Sequence, residues 1–183
     1  EFQGIYVLAL AMHAVPEETK EATVKHLTDM IHENGDCLDT GFLSIPFLLE
    51  TLYENGECEL ANTLLFQDAS PSWLYEVKMG ATTVWETWEA VDPDGNPKDF
   101  SLNHFAFGCV GEYLFRHILG IQRVEPGWKK VRIAPDVNCG LEYAKGSYDS
   151  IWGRISVEWK KTADGVDLKI ELPPDVELVE IEE

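Results

Sequence analysis

GRISVEWKKTADGVDLKIEL, Gly153 to Leu172, decides the fold of the last third of the chain. Ile155, Val157 and Trp159 alternate with Arg154, Ser156, Glu158 and Lys160, and the alternation resumes from Val166 to Leu172 after Ala163, Asp164 and Gly165. A period of two puts one apolar face on each segment, and an Asp-Gly turn between two such segments predicts a β-hairpin. Weaker strands are expected in KVRIA (130–134), LEYAKGSY (141–148) and VELVEI (176–181). That makes about five, against the seven or so of a common sandwich, and the sheet is expected to be incomplete at Glu183. Glu171 to Glu183 carries six acids and no base, which fits a solvated edge strand.

Upstream of Pro126 the apolar period is that of a helix. QGIYVLALAMHA (3–14) is apolar almost all round, which predicts a helix buried on most faces and packed inside something larger. A second helix follows Pro16, with Glu17, Glu18 and Glu21 at its positive end, a stripe of Ala22, Val24, Leu27, Met30 and Ile31, and a stop at Asn34-Gly35. A third is expected from near Gly41 to Asn55, with Pro46 early enough to be tolerated, and a fourth from about Glu57 to Gln67. Asp68 to Met79 reads as a loop and DPDGNPKD (92–99) as a turn. A last helix is expected from about Asn103, its N-cap, to Leu119, burying Phe107, Val110, Leu114 and Ile118 and ending on Gly120. Helical hairpins without a 34-residue period fit one arc of an α/α toroid better than a solenoid. The fold expected is therefore mainly α plus β.

Composition narrows the function. Hydrophobic residues make up 45% and charged residues 26%, as in globular domains, while 14 Lys and Arg against 33 Asp and Glu leave a net charge of −19. Such a surface repels phosphate backbones and anionic lipid, so neither nucleic acid nor membrane is expected as a partner. No apolar stretch approaches the roughly 20 residues of a membrane span. The charge is uneven: residues 1–122 hold 5 bases and 20 acids, and residues 123–183 hold 9 and 13. A domain boundary is accordingly expected near Ile121, dividing 1–122 from 123–183. The chain opens on Glu1 rather than Met, so it is expected to be an excised piece. Cys37, Cys58, Cys109 and Cys139 form no CxxC pair and are expected as free thiols, and His32 opens HENG, not HExxH. No metal and no cofactor is expected.

The segment PSWLYEVKMGATTVWETW (71–88) gathers three of the six tryptophans with Glu76 and Glu86. Indole faces match the CH-rich faces of sugar rings, and a carboxylate beside them can accept hydroxyl protons or activate water, so a carbohydrate cleft is one expectation. The other is that Trp73, Trp85 and Trp88 fill core. If the segment is extended, Trp85 and Trp88 flank Glu86 on opposite sides and at most one faces a sugar with it.

GATTVWETW (80–88) followed by SLNHFAFGCVGEYLFRHILGI (101–121) resembles the signature of the α-L-rhamnosidases of glycoside hydrolase family 78. The similarity extends through Gln3, LDTGF (38–42), PSWLY (71–75), PGWKKVRIAPD (126–136) and SYDSIWGRISVEW (147–159), covering nearly the whole chain. The resemblance implies the distal part of a six-hairpin α/α barrel followed by a C-terminal antiparallel β-sandwich. It implies a rhamnose-containing glycoside as substrate and Glu86 as the general base of an inverting hydrolysis. His104 matches a histidine beside the sugar, with helix capping or a core position as the bland alternative, and Trp85 and Trp88 are candidate substrate contacts. The family's general acid belongs to an acidic, arginine-containing motif that does not occur here, so it is expected upstream of Glu1, in the remainder of the same polypeptide. An arc without its neighbouring hairpins is expected to self-associate through the exposed helix faces. Asp39 to Gly41 match the family's TGF corner. Thr87 stands where members often carry Arg, and Cys37 where many carry His, which leaves the leaving-group preference open. Two other readings use the same residues: another α/α-toroid glycosidase with a different sugar, and a non-catalytic carbohydrate-binding or structural module.

Overall fold

A computed structural model describes residues 2–179, which form two compact units, one running to Val110 and one from Gly111. The first begins with α1 (Gln3–Ala11), α2 (Glu17–Glu33), α3 (Ile45–Glu54) and α4 (Cys58–Phe66), in which α1 packs on α2 and α3, and α3 on α4. The stripes predicted for these helices are the buried ones: Val24, Leu27 and Ile31 on α2, Leu48, Leu49 and Leu52 on α3, Leu60, Leu64 and Leu65 on α4. On α1, Gln3, Val7 and Leu10 are buried while Phe2, just before it, and Ile5 stay more than 60% exposed. Its apolar all-round character is thus only half used by this chain.

Three expectations change. The third helix starts at Ile45, not near Gly41, which leaves Pro46 in the first turn where its missing N–H has no bond to lose. The loop expected over Asp68 to Met79 contains α5 (Trp73–Lys78), whose N-terminal amide of Tyr75 donates to the Ser72 hydroxyl at 3.0 Å. The single long helix from Asn103 is instead a 3₁₀ turn (Ala106–Cys109), a short α6 (Val110–Tyr113) and a π turn (Leu114–Ile118). Asn103 does not cap it: its N–H donates to Ser101 Oγ, and the first turn opens after Phe105. The π turn, closed by Leu119 N–H to Leu114 O at 2.9 Å, rotates the helix face, so Leu114 is exposed although Phe107 and Ile118 are buried.

In the second unit the predicted hairpin pairs β4 (Gly153–Thr162) with β5 (Gly165–Glu171), and β3 (Tyr143–Ser150) pairs with the other edge of β4. Ile155, Val157 and Trp159 are all but fully buried, and the Trp159 indole N–H donates to Ile118 O at 2.7 Å. A second sheet has the order β1 (Ile121–Arg123), β2 (Lys130–Ile133), β6 (Glu177–Leu178). Here the expectation of a purely antiparallel arrangement fails, because β6 runs parallel to β2. Pro173 and Pro174 cannot continue a ladder beside β5, and the chain crosses to the other sheet. The later part of VELVEI and the acidic end lies outside the described residues. Leu119, Ile121, Val131, Ile155, Val157 and Val176 draw both sheets into one core.

Gly120 joins the helical turns to β1 with φ +75°, and a Cβ there would lie 2.2 Å from Pro135 N and 2.3 Å from the Ala134 carbonyl carbon. Gly95 has φ +85° but open space around it. Gly120→Ala is therefore expected to destabilise the second unit by roughly 2–4 kcal/mol, and Gly95→Ala the first by only about 1 kcal/mol. Urea unfolding followed by hydrogen exchange in each unit separates the two. Equal effects would mean that the contact with Ala134 and Pro135 carries no weight.

Candidate active site

Residues 81–104 are almost devoid of regular structure, with Trp85, Trp88 and Ala90 buried and residues 93–103 exposed, so the segment keeps its shape only where its backbone polar groups find partners. They find them pairwise. His104 N–H donates to Val84 O (2.8 Å), Glu86 N–H to Ser101 O (2.9 Å) and Lys98 N–H to Ala90 O (2.8 Å), with the Asp92–Asn96 turn closing the ribbon. Thr83 Oγ1 adds a bond to Leu102 O at 2.5 Å. The ribbon brings Glu86 and His104, 18 positions apart in sequence, onto neighbouring rungs.

Glu86 is half-buried. Its Oε2 accepts the Ser101 N–H at 2.8 Å, which fixes the carboxylate on one side, and Oε1 has no hydrogen-bond partner among the described residues. One oxygen thus orients the group and the other is free to take a proton. His104 Nδ1 accepts the Ala106 N–H at 3.3 Å, so the neutral ring carries its own proton on Nε2 as a donor. The ring stacks on Phe42 (4.9 Å) and on Phe105 (5.2 Å). Phe42 arrives there through the Asp39 to Gly41 corner, which is tied to α1: Asp39 N–H donates to Oε1 of the buried Gln3 (3.1 Å), and Gln3 Nε2 to Cys37 O (3.4 Å). Burial, with a smaller contribution from Asp36, pushes the Cys37 thiol up, away from nucleophile chemistry.

The tryptophans lie otherwise than an extended segment would put them. The Trp85 indole packs in an apolar nest with Tyr75 and Ala90, at 3% exposure. Trp88 stacks on Phe107 at 3.7 Å and meets the edge of Trp73 at 5.4 Å, while the Trp73 indole N–H donates to Phe107 O. Between them these rings clamp the ribbon to the 3₁₀ turn. Trp88 also borders a cavity of about 410 Å³ shared with Leu8, Asp39, Thr40 and Ser44.

Two further carboxylates flank the ribbon in opposite states. Glu89 accepts from Lys98 (3.1 Å) and from Ser70 Oγ (3.0 Å), and these bonds hold it below the ordinary carboxylate range. Glu76 on α5 is buried; Oε2 accepts the Trp85 N–H at 3.2 Å and Oε1 has no partner among the described residues. Desolvation pushes its pKa up to about 7, the bond from Trp85 opposing only in part.

With this geometry in place, comparison with known proteins is decisive. The family profile of the bacterial alpha-L-rhamnosidase 6 hairpin glycosidase domain matches residues 2–118, and that of the bacterial alpha-L-rhamnosidase C-terminal domain matches 120–179. The chain belongs to the bacterial alpha-L-rhamnosidases. An alpha-L-rhamnosidase of Formosa agariphila is 38% identical over 176 residues, covering 94% of this chain and 19% of the relative. The crystal structure of Streptomyces avermitilis alpha-L-rhamnosidase complexed with L-rhamnose superposes with a TM-score of 0.92 at 35% identity over 96% of this chain and 17% of that one. The Aspergillus terreus alpha-L-rhamnosidase gives 0.92 at 31%, covering 97% and 21%. The chain thus spans about a fifth of the length of these relatives. In it the helices and the strand-rich C-terminal unit agree with the six-hairpin and C-terminal domains, and each domain is matched in sequence order.

The Glu76 carboxyl makes a testable difference to stability. Its pKa is about 7 when folded and that of an ordinary carboxylate, near 4.5, when unfolded. Below pH 4.5 both states hold the proton. As pH rises towards 7 the unfolded chain releases it first, so stability falls through this window by an amount on the order of 3 kcal/mol when fully expressed. Glu76→Gln should flatten that limb in a melting-temperature series from pH 4 to 8. An unchanged slope would show that Glu76 is not the group responsible.

Proposed function

We propose that this chain carries the general-base half of the active site of an inverting α-L-rhamnosidase, with Glu86 as the base and the general acid supplied by the polypeptide outside residues 1–183. On this proposal residues 1–122 are the distal arc of an α/α barrel and residues 123–183 a C-terminal β-sandwich. The half-used apolar surface of α1 fits a helix that packs against more of the same polypeptide, and its exposed Phe2 and Ile5 fit self-association when the arc stands alone.

The observation that carries the assignment is the carboxylate of Glu86, oriented through Oε2 by Ser101 and free at Oε1. In the reaction, Glu86 takes a proton from a water whose oxygen bonds to the anomeric carbon, on the face opposite the leaving oxygen. The glycosidic C–O bond breaks, and the acid protonates the departing oxygen. Two carboxyls roughly 6.5–9.5 Å apart leave room for that water. His104 serves as a sugar contact, its Nε2–H donating to a hydroxyl while Nδ1 is occupied by Ala106. Of the two tryptophans, Trp88 reaches substrate at the cavity it borders, whereas Trp85 acts at one remove, through its backbone.

In the longer enzyme, Glu86→Gln is expected to lower turnover of an aryl α-L-rhamnoside by about 10² to 10⁴-fold per folded molecule and to leave rhamnose binding nearly intact, because base assistance acts in the transition state. Near-normal turnover with a lowered melting temperature would make Glu86 a structural carboxylate instead. Residues 1–183 alone are expected to show no turnover; activity of the isolated chain, abolished by Glu86→Gln, would place the acid within it.

A further inference from the structure

The peptide unit joining Val84 to Trp85 is held at both ends. Its carbonyl accepts the His104 N–H at 2.8 Å, and its N–H donates to Glu76 Oε2 at 3.2 Å. Both proposed site residues depend on it: His104 bonds to it directly, and Glu86 follows it by one residue. The same turn of α5 fixes the far side of the loop, where the Tyr75 hydroxyl donates to Val91 O at 2.9 Å. Glu76 and Trp85 are each 3% exposed, so this bond is shielded from bulk solvent.

Stability alone does not account for a carboxyl in that position. It has one hydrogen bond for two oxygens, and Oε1 lies buried with no partner among the described residues. A buried carboxyl so poorly satisfied contributes little to folding or opposes it. What it supplies is an acceptor at a fixed place, beside the backbone that bears the base. Misplacement of a catalytic group by about 1 Å costs on the order of a hundredfold in rate.

We propose that Glu76 is a positioning residue for Glu86, holding the Val84–Trp85 peptide so that the base and His104 keep their relative placement. The inference rests on the reading of Glu86 as general base. It requires an acceptor oxygen at residue 76, and either a carboxyl or a carboxamide supplies one.

The test uses the longer enzyme with an aryl α-L-rhamnoside, with and without azide. Azide is already anionic and needs no base; it can bond to the anomeric carbon in place of water while the general acid still protonates the leaving oxygen. Glu86→Ala serves as reference and should lose turnover and regain it with azide, giving the β-rhamnosyl azide. Glu76→Leu, which keeps volume and removes the acceptor, should lower kcat about 10- to 100-fold per folded molecule, and azide should restore much of the loss. Glu76→Gln should stay within about threefold of the parent. A Glu76→Leu enzyme with normal kcat, or one whose loss azide does not lift although it lifts Glu86→Ala, would overturn the positioning role and leave the base assignment standing. Normal turnover in Glu86→Ala would overturn both. Should Glu76→Leu not fold, Glu76→Met replaces it. A folded Glu76→Gln that loses more than tenfold without azide rescue would overturn the proposal by itself.

Discussion

The reciprocal pair of hydrogen bonds between Glu86 and Ser101 is the constraint on which the rest of the site depends. Glu86 N–H donates to Ser101 O at 2.9 Å while Ser101 N–H donates to Glu86 Oε2 at 2.8 Å, so one residue fixes both the main chain and the carboxylate of the candidate base. The ribbon can be irregular because its polar groups are satisfied two by two, and thin because aromatic rings replace a second layer. Trp73, Trp88 and Phe107 supply that support, the stacked pair lying 3.7 Å apart. The irregularity is itself useful: a flat strand would alternate its side chains, whereas bends let Trp85 and Trp88 both turn inward and leave the intervening carboxylate at the surface.

Three carboxylates within fourteen residues show how surroundings divide the labour. Glu89, tied to Lys98 and Ser70, is held ionised and closes the outer edge of the loop. Glu76 is pushed towards neutrality by burial. Glu86 is buried in part, with one oxygen engaged and one free. A base needs access to water and an unoccupied lone pair, and of the three only Glu86 combines them, since Glu89 is committed to a cation and Glu76 is enclosed. This distinction comes from contacts, and composition gives no hint of it.

What could be read in the residues, and what could not, follows the range of the forces involved. The β4–β5 hairpin is visible in Ile155, Val157 and Trp159 because alternation and an Asp-Gly turn are local, and helices α2 to α4 are visible for the same reason. β6 is legible as a strand, but its parallel partner 47 residues away depends on where the chain crosses after Pro173-Pro174, which no local pattern encodes. α5 was concealed by its aromatic first turn, although Ser72 three residues before Tyr75 is a capping signal that could have disclosed it. The long helix from Asn103 was broken by a π turn, a change of hydrogen-bond register that leaves the apolar spacing intact. At the site, Glu86 stands out by its chemistry among clustered tryptophans, while its role as base and the place of His104 come from resemblance; that their backbones share a ribbon is a long-range fact. Glu76 stood in the same tryptophan-rich stretch, yet its significance lies in a bond to Trp85 nine residues on, across a turn.

The GATTVWETW segment therefore owes most of its character to holding one side chain. Thr83 is spent on Leu102 O, the Val84 carbonyl on His104, the Trp85 amide on Glu76 and the Trp88 ring on Phe107. Glu86, by contrast, keeps one carboxylate oxygen without a hydrogen-bond partner among the described residues. A motif of this kind is specific because each position answers a separate geometric demand, so the chance that an unrelated loop meets all of them is small. It also follows that Thr87 can vary without loosening the ribbon: it contributes the carbonyl that accepts the Ala90 N–H at 3.1 Å, a bond any residue can make.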